Sequence, residues 1–235
     1  MFIFAHAFAG ALLGLGFWHL AKDRRAIPVC IAASILPDLV DKSLGLLFPA
    51  VFAGGRTVFH SLGLVFLLLL LTLMFVQSGH RLLGFGIAGA ILLHQVFDEM
   101  WHEPANWFYP LLGPFQGSMI PDFIGTYFWF EITNPSEWMF MVGTVVVLIK
   151  SYQWGARIPV PFLSDRMKSA AYTFIVVVFG AVGFYLVAAG LMRPAGTFIT
   201  PLYNQMTNVM AGLLALSGAG IMSVEKYDAP YRIKP

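Results

Sequence analysis

Residues 82–101, LLGFGIAGAILLHQVFDEMW, decide the fold of this chain because they combine two opposed features. Residues 82–93 are all apolar or glycine, which is typical of a helix in a hydrocarbon core, where about 20 such residues are needed to cross. His94 and Asp98 nevertheless follow, and their spacing of four residues puts both on one helix face. Ionisable groups at membrane depth are costly and usually functional, so the segment predicts a transmembrane helix that carries part of a polar site.

The composition of the whole chain extends this prediction. Hydrophobic residues make up 58% of the 235 residues and charged residues 11%, whereas a soluble domain carries about 25% charged residues. The mean hydropathy of +0.76 also indicates a protein that is embedded in a membrane. Seven apolar segments can be marked, at residues 3–20, 27–48, 58–77, 82–101, 136–150, 169–191 and 206–224. We therefore predict an all-α, polytopic transmembrane helix bundle of about seven spans.

The lysine and arginine residues between these segments predict the orientation of the bundle. With the N-terminus outside, three of the 14 basic residues fall on the outer side and the other eleven on the cytoplasmic side, as the positive-inside rule requires. The three outer residues are Lys42, Arg56 and Arg193. The sequence thus predicts a protein integral to the cell (cytoplasmic) membrane, with its C-terminus in the cytoplasm.

Charge and cysteine content exclude several classes of protein. A net charge of +2 is too small to indicate nucleic acid as a partner. The one cysteine, Cys30, excludes an internal disulfide framework and a cysteine-based zinc cluster. The first residues, MFIF, contain no basic stretch, so we expect no cleaved signal peptide. Membrane lipid is the partner that this composition favours.

Six polar residues in the first four apolar segments form the strongest functional pattern. At 1.5 Å of rise per residue, they fall in the outer half of the membrane, in one slab about 10 Å thick. Imidazole and carboxylate are the ligands of hydrolytic metal sites, and a divalent cation would offset the cost of carboxylates in lipid. We therefore predict a site for a divalent metal, zinc being the first choice, near the outer face. The predicted ligands are His6, Asp38, Asp41, His60, His94 and Asp98.

Three further residues are candidates for catalysis. Arg56 lies one helical turn before His60, and its planar guanidinium suits phosphate oxygens, although an interfacial anchor would have the same position. His102 and Glu103 follow the segment that carries Asp98 and could act as general acid or base, or be solvated residues at its rim. The sequence leaves both interpretations open.

Composition divides the chain into three parts. Residues 1–115 would be a four-helix membrane domain that holds the metal site. Residues 116–135 are rich in aromatic residues and contain no lysine or arginine, which is typical of an interfacial loop at headgroup level. Residues 136–235 contain no histidine, which favours a three-helix membrane scaffold, and helices five to seven could also bind a membrane-protein partner.

The order of the motifs resembles a known family. The chain has an early His6, then Leu36-Pro37-Asp38 with a second aspartate close behind, then Arg56-xxx-His60-Ser61, and finally His94-xxx-Asp98. This order, over residues 1–115, is similar to the LexA-binding, inner-membrane-associated family of metal-dependent hydrolases.

The resemblance carries expectations about the site. It implies that the metal-site residues are His6, Asp38, His60, His94 and Asp98. The family is itself related to zinc-dependent phospholipases C, so the resemblance implies phosphoester cleavage only indirectly. The chain departs from the family pattern at Val40, Gly55 and Phe59, which bears on whether one metal or two would bind.

Three function classes remain open. The leading hypothesis is a membrane-embedded metal-dependent hydrolase that acts on an ester or phosphoester, such as a lipid headgroup. The second is a non-catalytic accessory subunit of a larger membrane complex, or an ion-binding protein. The third is a haem b electron carrier, because His6 and His19, and likewise His80 and His94, are spaced as in membrane cytochromes b.

Overall fold

The computed structural model describes residues 3–52, 54–117, 123–152, 164–192 and 196–224. In these ranges the chain forms helices, turns and no β-strand, which confirms the predicted all-α fold. The chain divides into two compact units, Met1–Trp138 and Met139–Pro235.

The longer helices follow the apolar segments of the sequence. They are α1 Ile3–Ala21, α2 Ala26–Leu47, the short α3 Pro49–Phe52, α4 Leu62–Phe75, α5 Arg81–Phe97, the short α6 Pro104–Trp107, α7 Phe123–Thr133, α8 Pro135–Tyr152, α9 Asp165–Met192 and α10 Gln205–Val224. Single 3₁₀ turns at Val58–His60, Ser78–His80 and Met100–His102 connect some of them.

Helices α1 and α2 pack closely because α1 carries glycine at the contact. A Cβ atom at Gly14 would lie 2.6 Å from Ile27 Cα, and one at Gly10 would lie 2.6 Å from the Cys30 carbonyl oxygen. Small residues spaced by four are typical of membrane helices whose backbones approach each other. The contact brings the first turns of α1 next to the second half of α2.

Helix α5 completes the core of the first unit. Cys30 and Ala33 of α2 pack with Ala88 and Ile91 of α5 and with Val65 of α4 in one buried apolar cluster. The polar residues that the sequence predicts as ligands lie further along α2, at the end of α5 and just before α4. The apolar core therefore fixes the positions from which those side chains converge.

The segment before α4 differs from the sequence prediction. The apolar segment was expected to be helical from residue 58, but α4 begins at Leu62, where the Ser61 hydroxyl accepts a hydrogen bond from Leu64 N at 3.3 Å. Gly54 and Gly55 have φ values of +89° and +64°, a conformation that glycine adopts without strain. They turn the chain back towards α2, so His60 lies in a turn and not on a helix face.

A second difference concerns the aromatic stretch. Within residues 116–135, predicted as an interfacial loop, the chain forms α7 over Phe123–Thr133. Residues 118–122 of this stretch lie outside the described residues. Between Gly125 and Pro135 the sequence has no glycine or proline, so nothing in it prevents a helix.

In the second unit, α9 and α10 pack through glycine. A Cβ atom at Gly183 would lie 2.9 Å from the Gly212 carbonyl oxygen, so the two backbones are almost in contact. Lys150 donates a hydrogen bond to the Tyr172 hydroxyl at 2.6 Å, and this hydroxyl donates to the Met222 carbonyl at 2.6 Å.

Three helices of the described residues are long and apolar enough to cross a membrane. They are Ile3–Ala21, Asp165–Met192 and Gln205–Val224, while Leu62–Phe75 and Arg81–Phe97 are shorter apolar helices. The second predicted segment is helical but carries the charges of Asp38, Asp41 and Lys42. The prediction of about seven spans therefore stays a prediction, as does the orientation of the termini.

Candidate metal site

Four buried residues bring metal-ligand atoms together in the first unit. Asp38 comes from α2, His60 from the 3₁₀ turn before α4, and His94 and Asp98 from the end of α5. One ligand atom of each residue lies within 4.8 Å of the other three. The structure thus joins four of the six predicted ligands in one cluster.

The separations inside this cluster fit a single small cation. His60 Nε2 lies 3.1 Å from His94 Nε2. Asp38 Oδ1 and Asp98 Oδ2 each lie 3.7 Å from His60 Nε2 and 3.9 Å from His94 Nε2. Four atoms bound tetrahedrally at about 2.0–2.1 Å from one zinc ion would lie about 3.3 Å apart. The five separations that involve a histidine nitrogen are thus within about 0.6 Å of this value, and the two carboxylate oxygens lie no more than 4.8 Å apart.

Both imidazoles are oriented by acceptors on the far side of the ring. His94 Nδ1 donates to the Ser34 carbonyl at 2.7 Å, and His60 Nδ1 donates to Asp41 Oδ2 at 2.8 Å. Because each Nδ1 carries a proton, the Nε2 lone pair of each neutral ring points into the cluster. Two lone pairs at this separation repel each other unless a proton or a metal ion lies between them. This pattern is the usual outer support of metal-bound histidine.

Asp41 has a different position from the one expected of a ligand. Its carboxylate is fully buried and accepts hydrogen bonds from the backbone N–H groups of Thr57, Phe59 and His60 at 2.8–3.1 Å, and from His60 Nδ1. With its oxygens occupied in this way, Asp41 is not among the four cluster residues. It holds the 54–60 turn against α2 and orients the ring of His60.

The two carboxylates of the cluster each direct one oxygen inward and have a neighbour at the other. Asp38 Oδ2 lies 2.7 Å from Lys42 Nζ as an ion pair, although neither Asp38 oxygen has a partner with hydrogen-bond geometry among the described residues. Asp98 Oδ1 accepts from His6 Nε2 at 3.0 Å, and Asp98 Oδ2 lies 3.3 Å from Arg56. A buried carboxylate without hydrogen bonds is costly, so Asp38 is a group that a cation would satisfy.

His6 lies against the cluster without contributing to its four atoms. Its ring is 3.9 Å from that of His94, centroid to centroid, and its Nδ1 is buried with no hydrogen-bond partner among the described residues. Two histidines that bind one haem approach the iron from opposite faces of the porphyrin, whereas these rings are in contact. The geometry therefore gives no support to the haem hypothesis at His6 and His94.

Arg56 lies at the edge of the cluster, and Glu103 is one of its partners. Arg56 donates to Glu103 Oε1 at 2.7 Å while it pairs with Asp98, and its side chain is 33% exposed. Glu103, 36% exposed, also accepts from Asn106 Nδ2 at 3.1 Å. His102 is 67% exposed and contacts Glu99 and Trp101, so its described contacts lie away from the cluster.

Several supporting residues were not predicted from the sequence. Gln95 donates to the Phe59 and Ser61 carbonyls at 3.1 Å and thereby fixes the turn that carries His60. Lys42 follows Asp38 by four residues, a spacing that could have indicated the ion pair. Gln95 has no such local signal, because its partners come from a turn 34 or more residues away.

Two glutamates hold the first turn of α1. Glu131 accepts from the Ile3 and Phe4 amides at 3.1 and 3.2 Å, and the fully buried Glu137 accepts from the Ala5 amide at 2.9 Å. Burial raises the pKa of Glu131, although these backbone hydrogen bonds act in the opposite direction. Carboxylates stabilise a helix N-terminus, and these two fix the residues directly before His6.

Comparison with known proteins gives a family for the chain. The model of the YdjM inner membrane protein family matches residues 1–191, which include the whole cluster and most of the chain. Neither the curated proteins nor the solved structures gave a match. The match confirms the inner-membrane character that the motifs indicated, whereas LexA binding and hydrolysis go beyond it. The chain belongs to the YdjM inner membrane protein family.

Proposed function

We propose that this chain is a membrane-embedded, metal-dependent hydrolase that cleaves an ester or phosphoester, with a lipid headgroup as a natural substrate. The observation that supports the proposal is the buried cluster of Asp38, His60, His94 and Asp98, whose ligand atoms lie within 4.8 Å of one another. Buried ionisable groups with oriented imidazoles are typical of functional sites in membrane proteins.

Zinc is the cofactor that this donor set favours. Two neutral imidazoles and two carboxylates offer nitrogen and oxygen ligands, three of which would hold zinc while one position stays open for water. A divalent cation would also neutralise the charges of Asp38 and Asp98, which are buried together. When bound, such an ion supplies Lewis acidity towards water and the scissile ester.

The residues of the chain supply positioning and proton transfer. Asp41 and the Ser34 carbonyl keep His60 and His94 in the tautomer that directs Nε2 inward. Arg56, partly exposed beside Asp98, binds the acyl or phosphoryl oxygens of the substrate. Glu103, held by Arg56, is the proposed general base and acid, in preference to the more exposed His102.

The membrane arrangement remains part of the proposal. Seven spans with the N-terminus outside would place the cluster near the outer face, as the distribution of basic residues favours. Residues 1–115 would then form the metal-site domain, the aromatic stretch 116–135 its interfacial cover, and residues 136–235 a scaffold. The three long helices of that scaffold, α8, α9 and α10, are the surface proposed for a membrane-protein partner.

Metal removal tests the proposed function directly. We expect the full-length protein, purified in mild detergent, to contain about one equivalent of zinc, and a chelator to abolish ester or phosphoester hydrolysis. Added zinc should restore turnover. Metal analysis by mass spectrometry and assays before and after chelation measure both effects. Protein that carries no divalent metal, or hydrolysis that a strong chelator leaves unchanged, would contradict the proposal.

Asp41→Asn is expected to weaken zinc binding by about 10–100-fold. The asparagine amide can replace only part of the carboxylate that accepts three backbone N–H groups and the proton of His60 Nδ1. Competition with a fluorescent zinc chelator measures the affinity. Asp165→Asn, at a carboxylate that is 92% exposed, is the matched control and should leave affinity unchanged. Equal affinity in both variants would argue against an outer-shell role for Asp41.

A further inference from the structure

We infer that Lys42 is a second substrate-binding cation, which together with Arg56 makes the site select a phosphate ester over a neutral carboxylic ester. The inference rests on the proposed hydrolase function and names the substrate class for the same site. Four steps carry it: the exposure of the two cations, their separate partners, the charge balance, and the shape of a phosphate group.

The first step is access. The four cluster residues are buried, with at most 6% of any of them exposed. Lys42 and Arg56, which contact two of them directly, have side chains that are 21% and 33% exposed. A substrate that reaches the cluster past these side chains meets a positive charge at each of them.

The second step is that the two cations lie on different ligands. Lys42 Nζ lies 2.7 Å from Asp38 Oδ2, and Arg56 Nη2 lies 3.3 Å from Asp98 Oδ2. Asp38 and Asp98 come from different helices of the cluster. The two cations therefore flank the cluster from separate elements: Lys42, on α2, lies at the outer oxygen of Asp38, and Arg56, in the 54–60 turn, lies at the inward oxygen of Asp98.

The third step is the charge balance. In the protein without metal, Lys42 and Arg56 compensate the buried carboxylates of Asp38 and Asp98. A divalent ion held by the same two carboxylates takes over that compensation, because two positive charges then face two negative ones. Lys42 also acts on Glu131, and Arg56 also pairs with Glu103, so these carboxylates offset part of the two positive charges. The positive potential that remains beside the ion favours an anionic substrate over a neutral one.

The fourth step is the shape of the substrate. A carboxylic ester has one carbonyl oxygen for the metal to polarise, whereas a phosphate ester has additional non-bridging oxygens that carry charge. The arginine fork can bind two such oxygens, and a lysine ammonium can bind one as a point charge. The ion, Arg56 and Lys42 therefore suit the charged oxygens of a phosphate ester better than the single carbonyl oxygen of a neutral ester.

The reaction balances without any further reactant. A water oxygen forms a bond to phosphorus, and the bond from phosphorus to the leaving oxygen breaks. Glu103 accepts a proton from that water and returns one to the leaving oxygen, so the products are an alcohol and a phosphate with one ester bond fewer.

The test compares Lys42→Met with Lys42→Arg in the zinc-loaded, full-length protein in detergent. We expect Lys42→Met to weaken binding of inorganic phosphate, measured by isothermal titration calorimetry, by about tenfold. It should raise KM for bis(4-nitrophenyl) phosphate by a similar factor while kcat changes little. Hydrolysis of the neutral ester 4-nitrophenyl butyrate should fall by a clearly smaller factor than hydrolysis of the diester, and Lys42→Arg should keep most of the phosphate affinity.

The controls separate binding from structure. Lys168→Met removes an unrelated charge in the second unit and should alter neither phosphate binding nor zinc content. Unchanged phosphate affinity in Lys42→Met would overturn the inference, as would equal losses on the neutral and the anionic substrate together with lost zinc. If Lys42→Met does not fold, Lys42→Gln replaces it, with the same expected loss of phosphate affinity.

Assays of the wild-type protein with different substrates distinguish a failure of this inference from a failure of the proposed function. They also show whether the phosphate ester belongs to a lipid headgroup or to a soluble molecule. A wild-type protein that cleaves the neutral ester with zinc, yet neither binds inorganic phosphate nor cleaves the diester, overturns the inference alone. Absence of zinc-dependent cleavage of both substrates overturns the proposed function. Cleavage of phosphatidylglycerol in mixed micelles in preference to the soluble diester indicates a lipid headgroup, and the reverse preference indicates a free phosphate ester.

Discussion

The His94→Ala/Asp98→Ala double variant is expected to lose zinc and to lower hydrolytic turnover by about a thousandfold or more. The substitution removes two of the four ligand atoms that lie within 4.8 Å of one another, one imidazole and one carboxylate. A zinc site with only two protein ligands is far from the usual three or four, so the ion should dissociate at micromolar protein. Without the ion, the Lewis acidity that activates water is lost.

Metal analysis and turnover of the purified double variant measure the two effects together. The matched control is His80→Ala/Asp165→Ala, which removes one histidine and one aspartate whose side chains are exposed and outside the cluster. The control should keep its zinc and its turnover. Size-exclusion chromatography and circular dichroism should show that both variants are folded; if the alanine pair is not, His94→Gln/Asp98→Asn takes its place. Full turnover in the cluster variant would reject the assignment of the site.

Gly14→Ala is expected to destabilise the first unit by about 1–3 kcal/mol, because it forces a methyl group into the backbone of α2. That methyl carbon would lie 2.6 Å from Ile27 Cα and 2.7 Å from the Ala26 carbonyl oxygen, and neither atom can rotate away. The two helices must separate, which also moves the turn of α1 that carries His6. We expect weaker zinc binding to accompany the loss of stability.

Gly16 on the same helix provides the matched control. A Cβ atom there meets nothing within 4 Å, so Gly16→Ala should leave stability unchanged or slightly higher. Thermal unfolding in detergent, followed by tryptophan fluorescence, measures both variants. If the two alanine variants unfold at the same temperature, close packing of α1 on α2 is not what holds these helices together.

Much of the fold could be predicted from the sequence because long apolar segments recur along the chain. The apolar segments marked in the sequence agree with the longer helices of the described residues to within a few positions at each end. Helical rise and alternating direction, which are set by backbone geometry, were enough to predict that Asp38 and His94 approach each other. The same rise does not apply to His60, which lies in a turn before α4. The spacing of His94 and Asp98 on α5 needed no tertiary information.

Other features depended on contacts that no local pattern contains. Asp38 and Asp41 share a helix face by spacing, yet only Asp38 is directed at the cluster, since the amides of the 54–60 turn take Asp41. The turn exists because two glycines with positive φ reverse the chain, which moves Arg56 and His60 off a common helix face. The spacing of Asp38 and Lys42 could have indicated their ion pair, but it could not show that the pair lies beside a buried cluster.

The hydrogen bonds that Glu131 and Glu137 accept at the start of α1 have a consequence for biosynthesis. Every candidate ligand lies at or before residue 98, but the amides that precede His6 find their acceptors only when residues 131–137 have been made. A nascent chain that ends before residue 131 therefore lacks the acceptors that fix the start of α1, directly before His6. Loading of the ion should follow synthesis of this later stretch, and a fragment that stops at residue 115 should hold zinc more weakly than the intact chain.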